Sequence, residues 1–225
     1  MDRTAYSSPS PAGNGVPIVV IAPLVMLAAF LYHPFIPVLT RTDTLAEVVQ
    51  ADTLRWGLAH LSVAVGSALM VIAFISVRDF LVRSGARVGA HALSCVAFGG
   101  VLYAVLPGFE FSALAAAQTG GDIVRVEQVL EPWFLPTLFT GAIANAIGVF
   151  GFARAVRTAP VMEATQSKVV VIALVVMAVS RFIPLGAVQF YTQGVAGVVG
   201  LLTIAFVMRG STTPARDLAV AGVRG

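Results

Sequence analysis

Four ionisable side chains stand out because they lie inside or at the edge of long apolar runs: His33, His60, Glu110 and Arg181. Neutral imidazoles and carboxylates are metal ligands, and two histidines can also bracket a haem iron. A guanidinium offers a planar fork of N–H donors that fits a carboxylate or a phosphate. These residue types suggest two kinds of chemistry, cation or haem binding by the histidines and anion binding by the arginine.

The elements that must position these side chains are membrane helices. The chain of 225 residues is 58% hydrophobic and 11% charged, whereas a soluble domain carries about 25% charged residues. A helix needs roughly 20 apolar residues to cross about 30 Å of hydrocarbon. Six apolar runs have about this length, at 17–39, 57–77, 88–107, 133–153, 169–190 and 194–208. The sequence therefore predicts an all-α integral membrane bundle of six transmembrane helices.

Charged residues divide unevenly between the two sets of loops. With a cytoplasmic N-terminus, the inner side carries ten basic and four acidic residues, and the outer side carries three basic and seven acidic residues. Cytoplasmic loops are enriched in Lys and Arg. Both termini are therefore predicted to be cytoplasmic, in a multi-pass protein of the plasma or inner membrane. This asymmetry accounts for the net charge of +3. The charge therefore gives no reason to expect nucleic acid as a partner.

The predicted domain organisation is one transmembrane domain at 16–209 between flexible tails at 1–15 and 210–225, which are rich in small and polar residues. The first apolar run lacks the flanks and small-residue cleavage pattern of a signal peptide. It is therefore expected to be a retained helix.

The outer loops carry helix-start signals. Thr44 and Glu47 have the spacing of a capping box, Asp52 or Thr53 can cap the second membrane helix, and Asp122 can cap a helix of apolar periodicity at 122–130. We therefore expect short amphipathic helices to cap the outer face.

Helix direction brings the four ionisable residues to one depth. His33 lies near the outer end of the first run, His60 in the first outer turn of the second, and Glu110 just beyond the third. Arg181 lies about 18 Å from the inner side at 1.5 Å per residue. All four are expected to meet beneath the outer cap, whereas His91 opens the third run on the inner side.

Polar residues deeper in the runs complete the candidate pocket. Asn145 and Gln189 are expected at its floor or mouth, with Gln193 beside them. Asn145 also shares a helix face with Gly141, Gly148 and Gly151, a stripe typical of close helix packing.

Three functions remain open. The leading hypothesis is a non-enzymatic, transporter-like or accessory subunit that binds a small or lipid-like anionic ligand, with Arg181 as anchor. Arg181 can alternatively reach the outer headgroups, or pair with Glu110 or a carboxylate in the outer loops. The second hypothesis is a haem- or metal-binding membrane oxidoreductase with His33 and His60 as ligands and Glu110 or Glu47 as a third metal ligand, although no two ligands have metal-site spacing on one helix. The third is a structural subunit that binds a membrane-protein partner or a second copy of the chain.

Overall fold

The computed structural model describes residues 15–36 and 42–211, which form α-helices and no strand. The helices are α1 Val16–Tyr32, α2 Thr42–Ala51, α3 Thr53–Arg83, α4 Ala90–Thr119, α5 Ile123–Arg157, α6 Ala164–Ser180 and α7 Gly186–Gly210. The predicted tails at 1–15 and 210–225 lie outside the described residues, apart from Gly15, Gly210 and Ser211. The all-α prediction is confirmed for the described part of the chain.

Six of the helices form a closed antiparallel ring. In chain order α1, α3, α4, α5, α6 and α7 each pack against the next, and α7 packs back against α1. α2 lies across one end of the ring, against α3, α4 and α5. We call this the α2 end; it is where α1, α4 and α6 end and where α3, α5 and α7 begin.

Length and surface composition are those of a helical membrane protein. Among the described helices, α3, α4, α5 and α7 are long and apolar enough to cross a membrane, while α1 and α6 are shorter apolar helices of 17 residues. Large apolar side chains such as Leu61, Phe98, Ile172 and Phe206 are exposed on the ring. Apolar surface of this extent favours lipid as the surrounding medium.

Glycines bring the backbones of α4 and α5 into contact. A Cβ atom on Gly148 would lie 2.6 Å from the carbonyl oxygen of Ala92, and one on Gly99 would lie 2.7 Å from the amide nitrogen of Asn145. Only glycine permits such an approach. The stripe that contains Gly148 and Asn145 therefore serves helix packing, as its spacing suggested.

Two predicted helix boundaries on the outer side were wrong. α4 continues through Pro107 to Thr119, and the predicted separate helix at 122–130 is the first part of α5. A proline removes one backbone hydrogen bond, but α4 and α5 pack against each other and each continues past its internal prolines. The two helices thereby extend the walls of the ring towards α2.

The predicted run 169–190 is divided between two helices. α6 ends at Ser180, and α7 begins at Gly186 after a turn that contains Pro184. Proline disfavours helical backbone in the residue before it and cannot donate to the preceding turn. Arg181 consequently lies at the C-terminal cap of α6 and not inside a helix.

The predicted N-caps have different outcomes. Asp52 and Asp122 accept hydrogen bonds from the amides of Arg55 and Arg125, at 2.9 and 3.0 Å, so both caps are confirmed. Thr44 lies inside α2, which begins at Thr42. Since an N-cap must precede the first helical residue, the predicted capping box at Thr44 was wrong.

Candidate functional site

A cavity of about 310 Å³ lies within the ring at the α2 end. Five of the six residues predicted for the site line it: His33, His60, Glu110, Arg181 and Gln189. Asn145 does not; it is buried where α4 approaches α5. The rest of the lining is mainly apolar and includes Phe30, Leu106, Phe134, Leu138 and Phe139.

The two histidines lie side by side. His33 is the first residue after α1, and His60 lies in the second turn of α3. Their Nε2 atoms are 3.3 Å apart, and both side chains are buried. Trp56 packs against the His60 ring with 4.3 Å between ring centroids, and Phe190 contacts the His33 ring at 5.1 Å. Aromatic neighbours thus hold both imidazoles against the cavity.

Backbone carbonyls set the tautomer of both rings. His33 Nδ1 lies 2.9 Å from the oxygen of Pro34, and His60 Nδ1 lies 2.8 Å from the oxygen of Trp56. A carbonyl oxygen only accepts, so both Nδ1 atoms must carry the proton and donate. In neutral rings, each Nε2 then has a free lone pair. Both Nε2 atoms therefore lie together between α1 and α3, 3.3 Å apart.

Arg55 orders the chain where α1 ends. Its Nε donates to the carbonyl oxygen of Tyr32 at 2.9 Å, and one terminal nitrogen donates to that of His33 at 3.4 Å. His33 lies beyond the last helical residue of α1. These two hydrogen bonds from Arg55 therefore fix the backbone that carries the His33 ring.

Glu110 places a carboxyl group beside the histidine pair. Its Oε2 lies 4.0 Å from His60 Nε2 and has no hydrogen-bond partner in the described part of the chain. The indole nitrogen of Trp56 donates to the backbone oxygen of Glu110 at 3.2 Å, which ties α3 to α4 at this level. Glu127 on α5 also lines the cavity with a buried, unpartnered oxygen. This wall of the cavity therefore carries two buried carboxyl groups, each with an oxygen that has no hydrogen-bond partner among the described residues.

Arg181 lies on the cavity wall at the turn between α6 and α7. Its guanidinium carbon is 3.9 Å from the ring centroid of Tyr103, in a cation–π contact. The Nε and Nη1 groups are buried and donate to no atom of the described residues. No ion pair joins Arg181 to an acidic side chain in residues 15–36 or 44–211. Two strong donors therefore face the interior without an acceptor.

Sequence reasoning did not single out Tyr103 and Glu127. Tyr103 lies seven residues before Glu110, a spacing that puts both on one face of α4. This signal was available, but the boundary predicted at Pro107 hid it. Glu127 was assigned to a separate surface helix, so its place on the cavity wall followed only from the uninterrupted course of α5.

The arrangement separates two kinds of unsatisfied polar group in one cavity. The buried guanidinium nitrogens of Arg181 have no acceptor among the described residues, whereas His33 Nε2, His60 Nε2 and the carboxyl group of Glu110 lie together where a cation or a shared proton would join them. His91, by contrast, is exposed at the start of α4, at the opposite end of the ring.

No protein-family model matches the chain, nor does any curated protein or solved structure.

Proposed function

We propose that the chain is a six-span protein of the plasma or inner membrane that holds a small anionic, lipid-like molecule in this cavity. The role is that of a binding or transporter-like subunit, with no catalytic residue assigned. The observation that carries the proposal is Arg181, whose buried Nε and Nη1 donors have no acceptor among the described residues.

An anion at Arg181 would satisfy these donors. A buried N–H group without a partner costs about 1–3 kcal/mol, and a charge-assisted hydrogen bond contributes about 1.5–3 kcal/mol. Guanidinium favours planar, bidentate acceptors such as carboxylate and phosphate. Gln189 and Gln193 line the same cavity and offer amide donors as well. Together these groups suit the acidic head of a ligand.

The remaining lining suits an apolar tail. Phe134, Leu135, Leu138 and Phe139 of α5 line the cavity together with Met26 and Phe30 of α1. The cavity volume of about 310 Å³ lies at the lower end of the range for small-molecule pockets. A molecule with one acidic head and a short alkyl chain fits this combination of size and chemistry.

Six crossings are proposed because the ring requires all of its helices at one depth. α1 and α6, with 17 residues each, span about 26 Å at 1.5 Å per residue, and a membrane adapts to a mismatch of a few ångströms. The end opposite α2 carries Arg83, Arg154, Arg157 and Arg209. The basic-residue rule favours this end as the cytoplasmic one. On this orientation the cavity belongs to the outer half of the membrane.

Binding to the purified protein tests the proposal. The full chain is reconstituted in nanodiscs of zwitterionic lipid and titrated calorimetrically with octyl phosphate, octanoate and octanol. The three probes share a tail and differ in the head, so octanol is the matched uncharged control. We expect saturable binding of one acidic probe per chain and at least tenfold weaker binding of octanol. Equal binding of all three probes, or binding of none, would overturn the proposal.

A further inference from the structure

In the histidine pair, two ring nitrogens that can only accept hydrogen bonds in neutral rings lie close together. With both Nδ1 protons committed to Pro34 O and Trp56 O, two Nε2 atoms that carry no proton in neutral rings lie 3.3 Å apart. Two such acceptors in contact are unfavourable unless they share a proton or bind a cation. Turning either ring to supply a donor would lose its Nδ1 hydrogen bond, which contributes about 0.5–1.5 kcal/mol.

The spacing of the Nε2 atoms matches two ligands of one small metal ion. At a metal–nitrogen distance of about 2.0–2.1 Å, two imidazoles at the tetrahedral angle place their nitrogens about 3.3–3.4 Å apart. The observed separation is 3.3 Å. Ligands on opposite faces of a haem iron would need about 4 Å at the same bond length. The pair therefore fits adjacent positions on a single ion better than it fits a haem.

The surroundings have the organisation of a metal site. A ligating histidine commonly donates its other ring N–H to a backbone carbonyl or carboxylate, which fixes the ring and directs the lone pair to the metal. His33 and His60 both do so, through Pro34 O and Trp56 O. Arg55 holds the backbone at His33, and Trp56 holds α3 against α4. Both rings are thus oriented before any ion binds.

Glu110 is the third candidate ligand. Its Oε2 lies 4.0 Å from His60 Nε2 and has no partner within the described ranges. No three His, Cys, Asp or Glu side chains in those ranges already form a complete metal-binding cluster, so Glu110 must rotate to close the distance. A carboxylate in that position completes a two-histidine, one-carboxylate set and leaves one position open to the cavity.

We propose that His33 Nε2, His60 Nε2 and Glu110 bind one divalent transition-metal ion of the Zn²⁺ class, with an open coordination position facing the cavity. The site is distinct from the Arg181 anchor and does not depend on the proposed anionic ligand.

The test uses Co²⁺ as the probe, because its visible absorption reports tetrahedral coordination. Full-length protein without a polyhistidine tag is stripped with a chelator and titrated with Co²⁺, then with Zn²⁺ in competition. We expect one Co²⁺ per chain, a tetrahedral spectrum and displacement by Zn²⁺. His33→Gln and His60→Gln should each weaken Co²⁺ binding by more than about tenfold, and Glu110→Gln should weaken it too.

His91→Gln is the matched control, since His91 is an exposed histidine at the opposite end of the ring. Unchanged Co²⁺ binding in His33→Gln and His60→Gln, or a loss in His91→Gln, would overturn the proposal. If the two variants fail to fold, nitrogen-15 NMR of the histidines in the wild-type protein decides. Zn²⁺ should shift the Nε2 resonances of two histidines, and a shift of none, or signals of a shared proton unaffected by Zn²⁺, would contradict the site.

The metal site and the anion anchor can fail separately. Arg181→Met removes a positive charge from the cavity and should not weaken Co²⁺ binding. Loss of octyl phosphate binding in Arg181→Met with Co²⁺ binding retained identifies two independent sites, whereas loss of Co²⁺ in this variant would contradict the ligand set proposed here.

Discussion

Replacing Arg181 by methionine should separate ligand binding from stability. In the protein described here the guanidinium has a cation–π contact with Tyr103 and two buried donors without acceptors. Losing the contact costs about 0.5–2 kcal/mol, while removing each unpartnered donor recovers about 1–3 kcal/mol. The free energy of unfolding of the ligand-free protein should therefore stay unchanged or rise, by up to about 5 kcal/mol. Methionine has a similar length and leaves no charge.

The same substitution should strongly weaken binding of an acidic probe. Each charge-assisted hydrogen bond contributes about 1.5–3 kcal/mol, and every 1.4 kcal/mol changes a dissociation constant about tenfold. Loss of the donors at Nε and Nη1 therefore predicts at least about a 100-fold weaker affinity for octyl phosphate in Arg181→Met. Arg181→Lys keeps the charge but loses the planar fork, so its affinity should lie between those of the wild type and Arg181→Met.

Calorimetric titration in nanodiscs measures the affinity, and thermal unfolding followed by circular dichroism measures the stability. Arg125→Met is the matched control, because Arg125 is an exposed cation at the same end that does not line the cavity. Wild-type affinity in Arg181→Met would refute the anchor. A large loss of stability without ligand would show that the guanidinium has an internal partner, which would refute the argument from unpartnered donors.

Three further predictions concern the frame around the cavity, each measured as a melting temperature in detergent. Gly148→Ala should destabilise by about 1–3 kcal/mol, because the new Cβ meets the α4 backbone at 2.6 Å. Gly108→Ala is its control, because no neighbouring side chain or helix lies within 4 Å of the new Cβ, and it should leave the stability unchanged or raise it. An equal change of melting temperature in both variants would contradict the close approach of α4 and α5 at Gly148. Asp122→Ala should cost about 1 kcal/mol through loss of the N-cap, and no change would show that the cap contributes nothing. Trp56→Phe should cost about 0.5–1.5 kcal/mol through loss of the indole hydrogen bond to the backbone oxygen of Glu110; wild-type stability would refute that role.

Hydropathy and helix direction were sufficient to bring the main polar residues together in sequence reasoning. The alternation of helix direction places the end of one helix beside the start of the next, so His33 and His60 share a depth whatever the details of packing. The depth of Arg181 could be calculated from the number of residues between it and the inner end of its run, at a fixed rise per residue, and this depth matched that of the two histidines. These inferences depend only on helix geometry and the thickness of a bilayer.

Helix boundaries near proline could not be predicted from the same reasoning. Pro107 lies inside α4, whereas Pro184 lies in a turn between helices. The local cost of proline is similar in both positions, and the difference lies in which neighbouring helices cover the interrupted turn. Since α5 continues beside α4 up to Ile123, α4 has a partner along its extension, and that partner is a property of the tertiary structure.

The contacts within the site were equally beyond the sequence. The proton positions on His33 and His60 depend on two backbone carbonyls, and the neighbour of Arg181 is an aromatic ring on another helix. Residue type and depth indicated that these side chains could meet, but only the packed structure shows which donors and acceptors remain without partners. Among the described residues, the packed structure shows an unpartnered guanidinium at Arg181 and no internal salt bridge.

The most direct test of Arg181 as the anion anchor is an experimental structure of the protein in nanodiscs with octyl phosphate. We expect density for the phosphate within hydrogen-bond distance of Arg181 Nε and Nη1, with the alkyl chain along the α5 side of the cavity. Density only on the lipid-facing surface, or a carboxylate of the protein paired with Arg181 in place of the ligand, would contradict it.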